Sequence, residues 1–390
     1  MPSVDEFLRS LPVVQQPDWA GHPELGPVRA ELASLPPLVT VEDTDVLRTL
    51  LAEAAVGRIQ IIQSGDCAED WAEATPGDVA RKAGLLEVLA GVMRMTSHKP
   101  VLRVGRLAGQ YAKPRSKPTE TVGDVELPVY RGHMVNSPEP DAELRRPDPK
   151  RMLTGYQSAR EVVGLLGWNG RDRRTRPDTP AWTSHEALLL DYELPMLRTQ
   201  PDGRLLLGST HWPWIGERTR QVDGAHVAML AAVANPVACK VGPTMTADEL
   251  LALCAKLDPE RTPGRLTLIA RMGADTVGER LPDLVRAVRL AGHPVVWLTD
   301  PMHGNTVSGP GGLKTRLVTT VVKEVVDFHR AVTCAGGTAG GIHLETTPDE
   351  VTECVADRDR LHEVGGKYTS FCDPRLNPRQ AVSVVSAWLG

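Results

Sequence analysis

The stretch PVACKVGPTMTADELLALCAKLDPERTPGRLTLIARMG, residues 236–273, decides the fold class. Its first eight residues, 236–243, form a nearly continuous apolar run, and RLTLIARMG at 265–273 forms another. Strands of this kind are buried on both faces and suit a parallel sheet. Between them TADELLALCAKL, 246–257, has helical periodicity, with Thr246 as its N-cap. The same alternation extends outward. Runs at 58–67 (RIQIIQSGDC), 100–109 (PVLRVGRLAG), 181–186 (AWTSHE), 204–211 (RLLLGSTH), 294–304 (PVVWLTDPMHG) and 341–347 (GIHLETT) complete a set of eight strands. Helical patterns fill the gaps at 78–95, where Val79, Ala83, Leu86, Leu89 and Val92 recur at helix spacing, and at 281–292. Eight strands alternating with helices predict an α/β fold, a (β/α)8 TIM barrel. A doubly wound open sheet is the runner-up, but no G-x-G-x-x-G follows the first strand. Residues 1–55, with a helical piece at 45–55, predict a short N-terminal extension packed on a barrel domain of residues 56–390. Residues 112–180, rich in Pro, Arg and Asp, read as a long connection at the end of the barrel that holds the site.

Composition narrows the function. The 390 residues are 41% hydrophobic and 24% charged, as in a globular enzyme with a full core. A net charge of −5 offers no basic field, and 4% aromatics offer no base-stacking surface, so no nucleic-acid partner is expected. No apolar run is long enough for a membrane span. The N-terminus has early acids and no apolar core of a secretory signal. The six cysteines lack C-x-x-C spacing and read as reduced thiols of a cytoplasmic protein.

The reactive residues fall where strands end. Cys67, Arg106, His185 with Glu186, Glu217 with Arg218, Lys240, Arg271, His303 and Glu345 each follow or close one of the eight runs. In a barrel those ends converge on the active-site face. Cys67, His303 and Glu345 offer sulfur, nitrogen and oxygen ligands, and Asp373 in FCDPRLN could add a second oxygen. Such a mixed set suits a borderline divalent metal better than calcium or magnesium. A free cysteine is also commonly a small buried apolar residue, and spacing alone leaves both readings of Cys67 open. Arg106, Lys113, Arg115, Arg218, Lys240 and Arg271 form a cationic set. Lys240 and Arg271 sit inside apolar strands, where an unpaired charge is costly, and this points to anionic ligands such as phosphate or carboxylate.

Longer motifs carry a resemblance. GDCAE (65–69), GRLAGQYAKPRS (105–116), SHEALLLDYE (184–193), WIGERTRQVDGAH (214–226), NPVACKVGPTMT (235–246), DPMHGNT (300–306), GIHLETTPDEVTEC (341–354) and CDPRLN (372–377) resemble the type II 3-deoxy-D-arabino-heptulosonate 7-phosphate (DAHP) synthases, and QQPDW (15–19) resembles the start of that family. The resemblance spans essentially the whole chain. It implies a TIM barrel that condenses phosphoenolpyruvate with erythrose 4-phosphate, the first step of the shikimate pathway, using a divalent metal, Mn²⁺ or Co²⁺. It implies Cys67, His303, Glu345 and Asp373 as metal ligands. Lys240, Arg218 and Arg271 would hold the phosphate of phosphoenolpyruvate. Arg106 and Lys113 would sit by its carboxylate with Glu217 nearby, these three being the catalytic candidates. Lys113, Arg115 and Ser116 of KPRS, with Glu186, would line the aldose-phosphate site. A homo-oligomer, dimer or tetramer, is implied, and a chorismate mutase is a candidate partner.

Departures from the family pattern cluster around the second substrate. Its RGD reads Arg131-Gly132-His133, a glycine is Ser137, and further from the substrates QGGDCAE reads QSGDCAE through Ser64 and CDPMH reads TDPMH through Thr299. Asp66 and Glu69, which flank Cys67, read as groups that fix the loop rather than as ligands. Gly155 to Ser184 is short where longer members carry a helix pair that binds aromatic amino acids. This predicts weak or no inhibition by Trp, Phe or Tyr, as in members serving phenazine or ansamycin pathways. Two alternatives remain open: an aminoDAHP synthase acting on an amino or imino tetrose phosphate, and a non-catalytic relative that binds a partner enzyme.

Overall fold

The computed structural model of the chain describes residues 4–168 and 179–389, and its eight parallel strands close into one barrel. The strands are β1 (Gln60–Gly65), β2 (Val101–Arg106), β3 (Trp182–Glu186), β4 (Trp212–Ile215), β5 (Val237–Val241), β6 (Leu266–Ala270), β7 (Val296–Thr299) and β8 (Ala339–Glu345). They follow one another around the ring in chain order, and β8 returns to β1. The stretch 236–273 supplies β5, the helix Ala247–Leu257 and β6 as its pattern predicts. Thr246 forms a full capping box: its hydroxyl accepts from Glu249 N–H, and the Glu249 carboxylate takes the Thr246 N–H.

One strand lies elsewhere than its sequence suggests. Leu205–Leu207 is not a barrel strand; it pairs antiparallel with Leu197–Thr199 in a peripheral hairpin. The intervening Pro201-Asp202-Gly203, with Gly203 at φ 85°, is a strong turn and favours local pairing. The fourth barrel strand is Trp212–Ile215, fully buried. Its Pro213, which cannot donate to a ladder, masks it in a propensity reading. The connection 112–180 is also more ordered than a loop. It contains a hairpin, Thr119–Val122 with Val125–Pro128, and the helix Arg151–Leu166, which stops at the left-handed Gly167. Part of the shortened segment Gly155–Ser184, residues 169–178, lies outside the described residues. Among the described residues no helix is long and apolar enough to cross a membrane.

Two compact units divide the chain. The first takes the chain up to Thr44, then Ala68–Ala80 and Leu107–Asn235, and so holds β3 and β4. The second takes Asp45–Cys67, Arg81–Arg106 and everything from Pro236, and so holds the other six strands.

Register within the second unit sets the positions of its charged residues. Gly65 at the end of β1 pairs with Arg106 on one side and with Glu345 on the other. Three strand ends therefore finish level, and the Arg106 and Glu345 side chains flank a residue that has none. Gly65 adopts φ 154°, and a Cβ there would lie 2.7 Å from the Arg106 carbonyl oxygen. We predict that Gly65→Ala lowers stability by about 2 kcal/mol or more, because it adds backbone strain to a steric clash. Urea unfolding with circular dichroism checks this; an unchanged midpoint would contradict it.

Candidate active site

In the second unit, donor atoms of Cys67, Glu345 and Asp373 lie within 4.8 Å of one another. Cys67 follows β1, Glu345 closes β8, and Asp373 comes from a loop without regular structure. His303 places Nε2 3.7 Å from Glu345 Oε1. Its Nδ1 lies 2.8 Å from Asp300 Oδ2, which fixes the tautomer with the Nε2 lone pair directed toward Glu345. Burial lowers the His303 pKa against the pull of Asp300 and Glu345, the direction that favours the neutral ring a metal ligand requires. The structure thus brings three of the four predicted ligands into one cluster and leaves the His303 imidazole beside it; a thiol and two carboxylates with an adjacent imidazole fit a borderline divalent ion.

Ion pairs hold the segments that carry these candidate ligands. Asp66 accepts from Arg375 Nη1 at 2.6 Å and pairs with Lys82 at 2.7 Å. Burial raises its pKa, but these two cations outweigh burial and hold it below the usual carboxylate range. Arg375 also binds Glu353 at 2.9 Å, and Glu353 accepts the N–H groups of Thr369, Ser370 and Arg375. The loop carrying Asp373 is thus clamped on both sides of the ligand. Asp66 serves the loop rather than the ligand cluster, as expected. Ser64 gains an explanation: its buried hydroxyl lies 2.7 Å from that of Thr346, joining β1 to the residue after Glu345.

Arg106 is buried and fully engaged. It donates to Asp66 O at 3.0 Å and to Glu345 Oε1 at 3.1 Å, and it contacts His343 Nε2 at 2.6 Å. His343 Nδ1 is 2.7 Å from Gln63 Oε1, so Nε2 is the acceptor for Arg106. Arg316, on the short strand Lys314–Arg316, binds the other Glu345 oxygen at 3.0 Å. Lys314 of the same strand binds Asp373 Oδ1 at 2.8 Å. Lys240 meets Asp300 at 2.5 Å. Burial lowers its pKa to about 8; Asp300 opposes this, while Arg106 and Arg271 add to it. Lys240 thus shares a buried position with one carboxylate, Asp300, and two further cations, Arg106 and Arg271.

Glu324 sets two of the loops. Buried on the helix Val318–Cys334, it accepts from the N–H groups of Met272 and Gly273, at 3.2 and 3.0 Å, and from the Asn305 side chain. The loop after β6, with Arg271, and the loop after β7, with His303, therefore share one carboxylate. Asp300, Arg316, Glu324, His343 and Arg375 were not singled out from sequence. Asp300 had a usable signal, three residues before His303 in DPMHG. Arg316 had none, because a three-residue strand has no period.

In the first unit the predicted aldose-phosphate residues lie on loops held by backbone hydrogen bonds. Glu69 accepts from the N–H groups of Ala108, Gly109 and Gln110, at 2.7–3.0 Å, and so fixes the loop as expected. Lys113 is buried, and its N–H donates to Arg131 O at 2.8 Å. Ser116 Oγ accepts from Arg218 Nη2 at 2.8 Å, which brings two predicted residues together. Arg115 pairs with Glu120 at 2.8 Å, and Glu217 pairs with Arg220 at 3.0 Å, so both already have protein partners. Glu186 packs against Gly216, where a Cβ would lie 2.0 Å from its carboxylate oxygen. Arg131 was noted only as part of a changed motif. Its Nη1 is buried without a hydrogen-bond partner among the described residues, and burial, then Arg115, lowers its pKa. His133 stacks on Trp71 at 4.8 Å, packs edge-on to Tyr130 at 5.7 Å, and places Nε2 3.4 Å from Asp70.

We predict that Glu324→Gln, which turns an amide donor toward buried donors, costs about 1–3 kcal/mol. It should also weaken binding at both Arg271 and His303. Urea unfolding and metal titration check this; unchanged values in both would remove Glu324 as the shared brace.

The chain is similar to known proteins along nearly its whole length. The sequence model of the Class-II DAHP synthetase family matches residues 4–167 and 161–387. A probable phospho-2-dehydro-3-deoxyheptonate aldolase of Pseudomonas fluorescens is 56% identical over 378 residues, 96% of this chain and 94% of that protein. The phospho-2-dehydro-3-deoxyheptonate aldolase of Streptomyces coelicolor is 38% identical, covering 98% of this chain and 96% of its own. That of Mycolicibacterium smegmatis is 37% identical, covering 96% and 91%. Among solved structures, the phospho-2-dehydro-3-deoxyheptonate aldolase of Francisella tularensis aligns over 97% of this chain and 99% of its own, with a TM-score of 0.55 and 12% identity. At that identity the likeness speaks to the fold.

Proposed function

The chain belongs to the class-II DAHP synthetase family, and from that membership we propose that it condenses phosphoenolpyruvate with erythrose 4-phosphate, as a 3-deoxy-7-phosphoheptulonate synthase. The near full-length match to relatives carrying this activity supports the reaction. The cluster of Cys67, Glu345 and Asp373, with His303 beside it, supports a metal-dependent route. A bound divalent ion, Mn²⁺ or Co²⁺, would supply Lewis-acid polarisation of the aldehyde oxygen.

The chain's own residues bind and orient the substrates. Lys240, Arg271 and Arg218 take the phosphate of phosphoenolpyruvate, and Arg106 and Lys113 face its carboxylate with Glu217 nearby. Lys113, Arg115, Ser116 and Glu186 take the aldose phosphate. Lys240, Arg106 and Arg271 act on one another as buried cations, and an anion bound there would offset their repulsion. With the substrates so held, C3 of phosphoenolpyruvate attacks the aldehyde carbon, water adds at C2, and inorganic phosphate leaves. Proximity and fixed charges supply most of the rate.

We further propose that the enzyme is cytoplasmic, works at the entry to the shikimate pathway, and feeds secondary metabolism without inhibition by aromatic amino acids. A homo-oligomer, dimer or tetramer, and association with a chorismate mutase belong to the same reading. His133 supplies no case for an amino-sugar substrate, since it packs against Trp71 and Tyr130.

Loss of phosphoenolpyruvate in the presence of erythrose 4-phosphate and Mn²⁺ tests the reaction; no turnover at saturation would overturn it. Cys67→Ala should abolish this activity and weaken metal binding more than about 100-fold with the circular dichroism spectrum unchanged. Retained metal binding would remove Cys67 from the ligand set. Arg271→Ala should raise KM for phosphoenolpyruvate at least about tenfold, the value of one charge-assisted hydrogen bond. An unchanged KM and kcat would argue against the phosphate role.

A further inference from the structure

The motif QQPDW, residues 15–19, has no part in the ligand or substrate sets, yet three of its five side chains bond to two loops of the first unit. Gln15 Oε1 accepts the N–H of Arg115 at 2.8 Å, in the middle of KPRS. Gln16 makes a two-way amide bridge to the loop after Glu186: Nε2 donates to Leu188 O at 2.9 Å, and Oε1 accepts from Leu190 N–H at 3.0 Å. Trp19 Nε1 donates to Asp191 Oδ2 at 2.9 Å, and Arg9 and Arg29 pair with the other oxygen of that carboxylate.

Gln15 is held at φ 63°, a left-handed conformation rare for a residue with a side chain. Such strain persists only where its surroundings impose it, and it is an observation from which a role can be argued. Here the conformation directs the carboxamide at Arg115 N–H. That N–H lies in a loop anchored on its other side by Lys113 N–H to Arg131 O. The loop presents Lys113, Arg115 and Ser116; the second loop begins at Glu186. Both belong to the set assigned to the aldose phosphate, and neither contains a metal ligand.

We propose that QQPDW is a positioning clamp for the aldose-phosphate site, with Gln15 setting the KPRS loop and Gln16 and Trp19 setting the loop after Glu186. The inference rests on the assignment of Lys113 to Ser116 to the sugar phosphate. Its chemistry is specific. A backbone N–H held by a side-chain acceptor cannot rotate away, so the flanking cations keep the spacing that a phosphate dianion needs.

The test compares Gln15→Gly, Gln15→Asn and Ser116→Ala in the full-length enzyme. Glycine relieves the left-handed strain and removes the acceptor; asparagine tolerates that backbone but is too short to reach. Both Gln15 variants should raise KM for erythrose 4-phosphate about tenfold while leaving KM for phosphoenolpyruvate and Mn²⁺ affinity within twofold. Gln15→Gly should keep or raise the urea midpoint. Ser116→Ala should raise the same KM. If Ser116→Ala does so and the Gln15 variants do not, the clamp is overturned and the site assignment stands. If Ser116→Ala leaves that KM unchanged, the site assignment fails and the clamp with it. A rise in both KM values with a lower urea midpoint would show Gln15 to be structural and would also overturn the proposal.

Discussion

The second unit depends on the placement of one carboxylate, Glu345, which has no solvent exposure. A charge in that position is tolerable only when other charges hold it. Arg106 takes one oxygen and Arg316 the other. The first cation comes from β2, level with Glu345 because both pair with Gly65. The second comes from a hairpin after β7, in which Thr306–Ser308 pairs antiparallel with Lys314–Arg316. The same hairpin sends Lys314 to Asp373, and Asp373 sits beside Cys67. Strand register, hairpin and ligand loop are thus three consequences of satisfying a single buried anion.

The first unit solves its positioning problem differently. Its loops are held mainly by backbone N–H groups: three on Glu69, one on Gln15, two (Val135 and Asn136) on the Gly132 carbonyl. Ion pairs such as Arg115–Glu120 are partly exposed, and pairs of that kind contribute little. This difference bears on where the chain departs from its family pattern. A substitution among fully buried ion pairs leaves an uncompensated charge; a substitution in a loop fixed through its backbone need not. His133 and Ser137 both lie in the second kind of place. Ser137 keeps its backbone N–H on Leu144 O, and its hydroxyl accepts from Glu139 N–H. Ser64 lies among the buried strands, but it is neutral and finds a hydroxyl partner in Thr346.

What was legible in the sequence follows from what carries a period. Seven barrel strands are apolar runs, and strand ends mark Cys67, Arg106, Lys240, Arg271 and Glu345. β4 was misplaced because Leu205–Leu207 is the more strand-like text, while the real strand contains Pro213. The supporting charges were mostly illegible. Arg316 and Arg375 lie on short or irregular segments whose partners are remote in the chain, and no local pattern announces a contact of that kind. Asp373 could be offered from its residue type but not placed, since its position depends on Arg375, Glu353 and Asp66 acting together. Glu324 was hidden for another reason. A glutamate on an amphipathic helix reads as solvated, and only the fold shows it turned inward to meet Met272 and Gly273.

Two cations in the second unit record opposite fields. Burial alone disfavours the charge on both Arg316 and Lys240. For Arg316 that cost is overcome: Glu345, Asp373, Cys354 and Cys67 hold its pKa above the ordinary arginine value. For Lys240 burial prevails: it lowers the pKa to about 8 although Asp300 is in contact, with Arg106 and Arg271 adding smaller pushes in the same direction. Negative charge therefore surrounds Arg316, while Lys240 is a buried cation that shares its surroundings with Arg106 and Arg271. Arg106 takes part in both, pairing with Glu345 and repelling Lys240. A divalent cation would relieve the negative charge around Arg316, and a phosphate would offset the repulsion among Lys240, Arg106 and Arg271. Occupancy of either pole would then change the electrostatic cost of filling the other, because Arg106 and Glu345 connect them through one hydrogen-bonded pair.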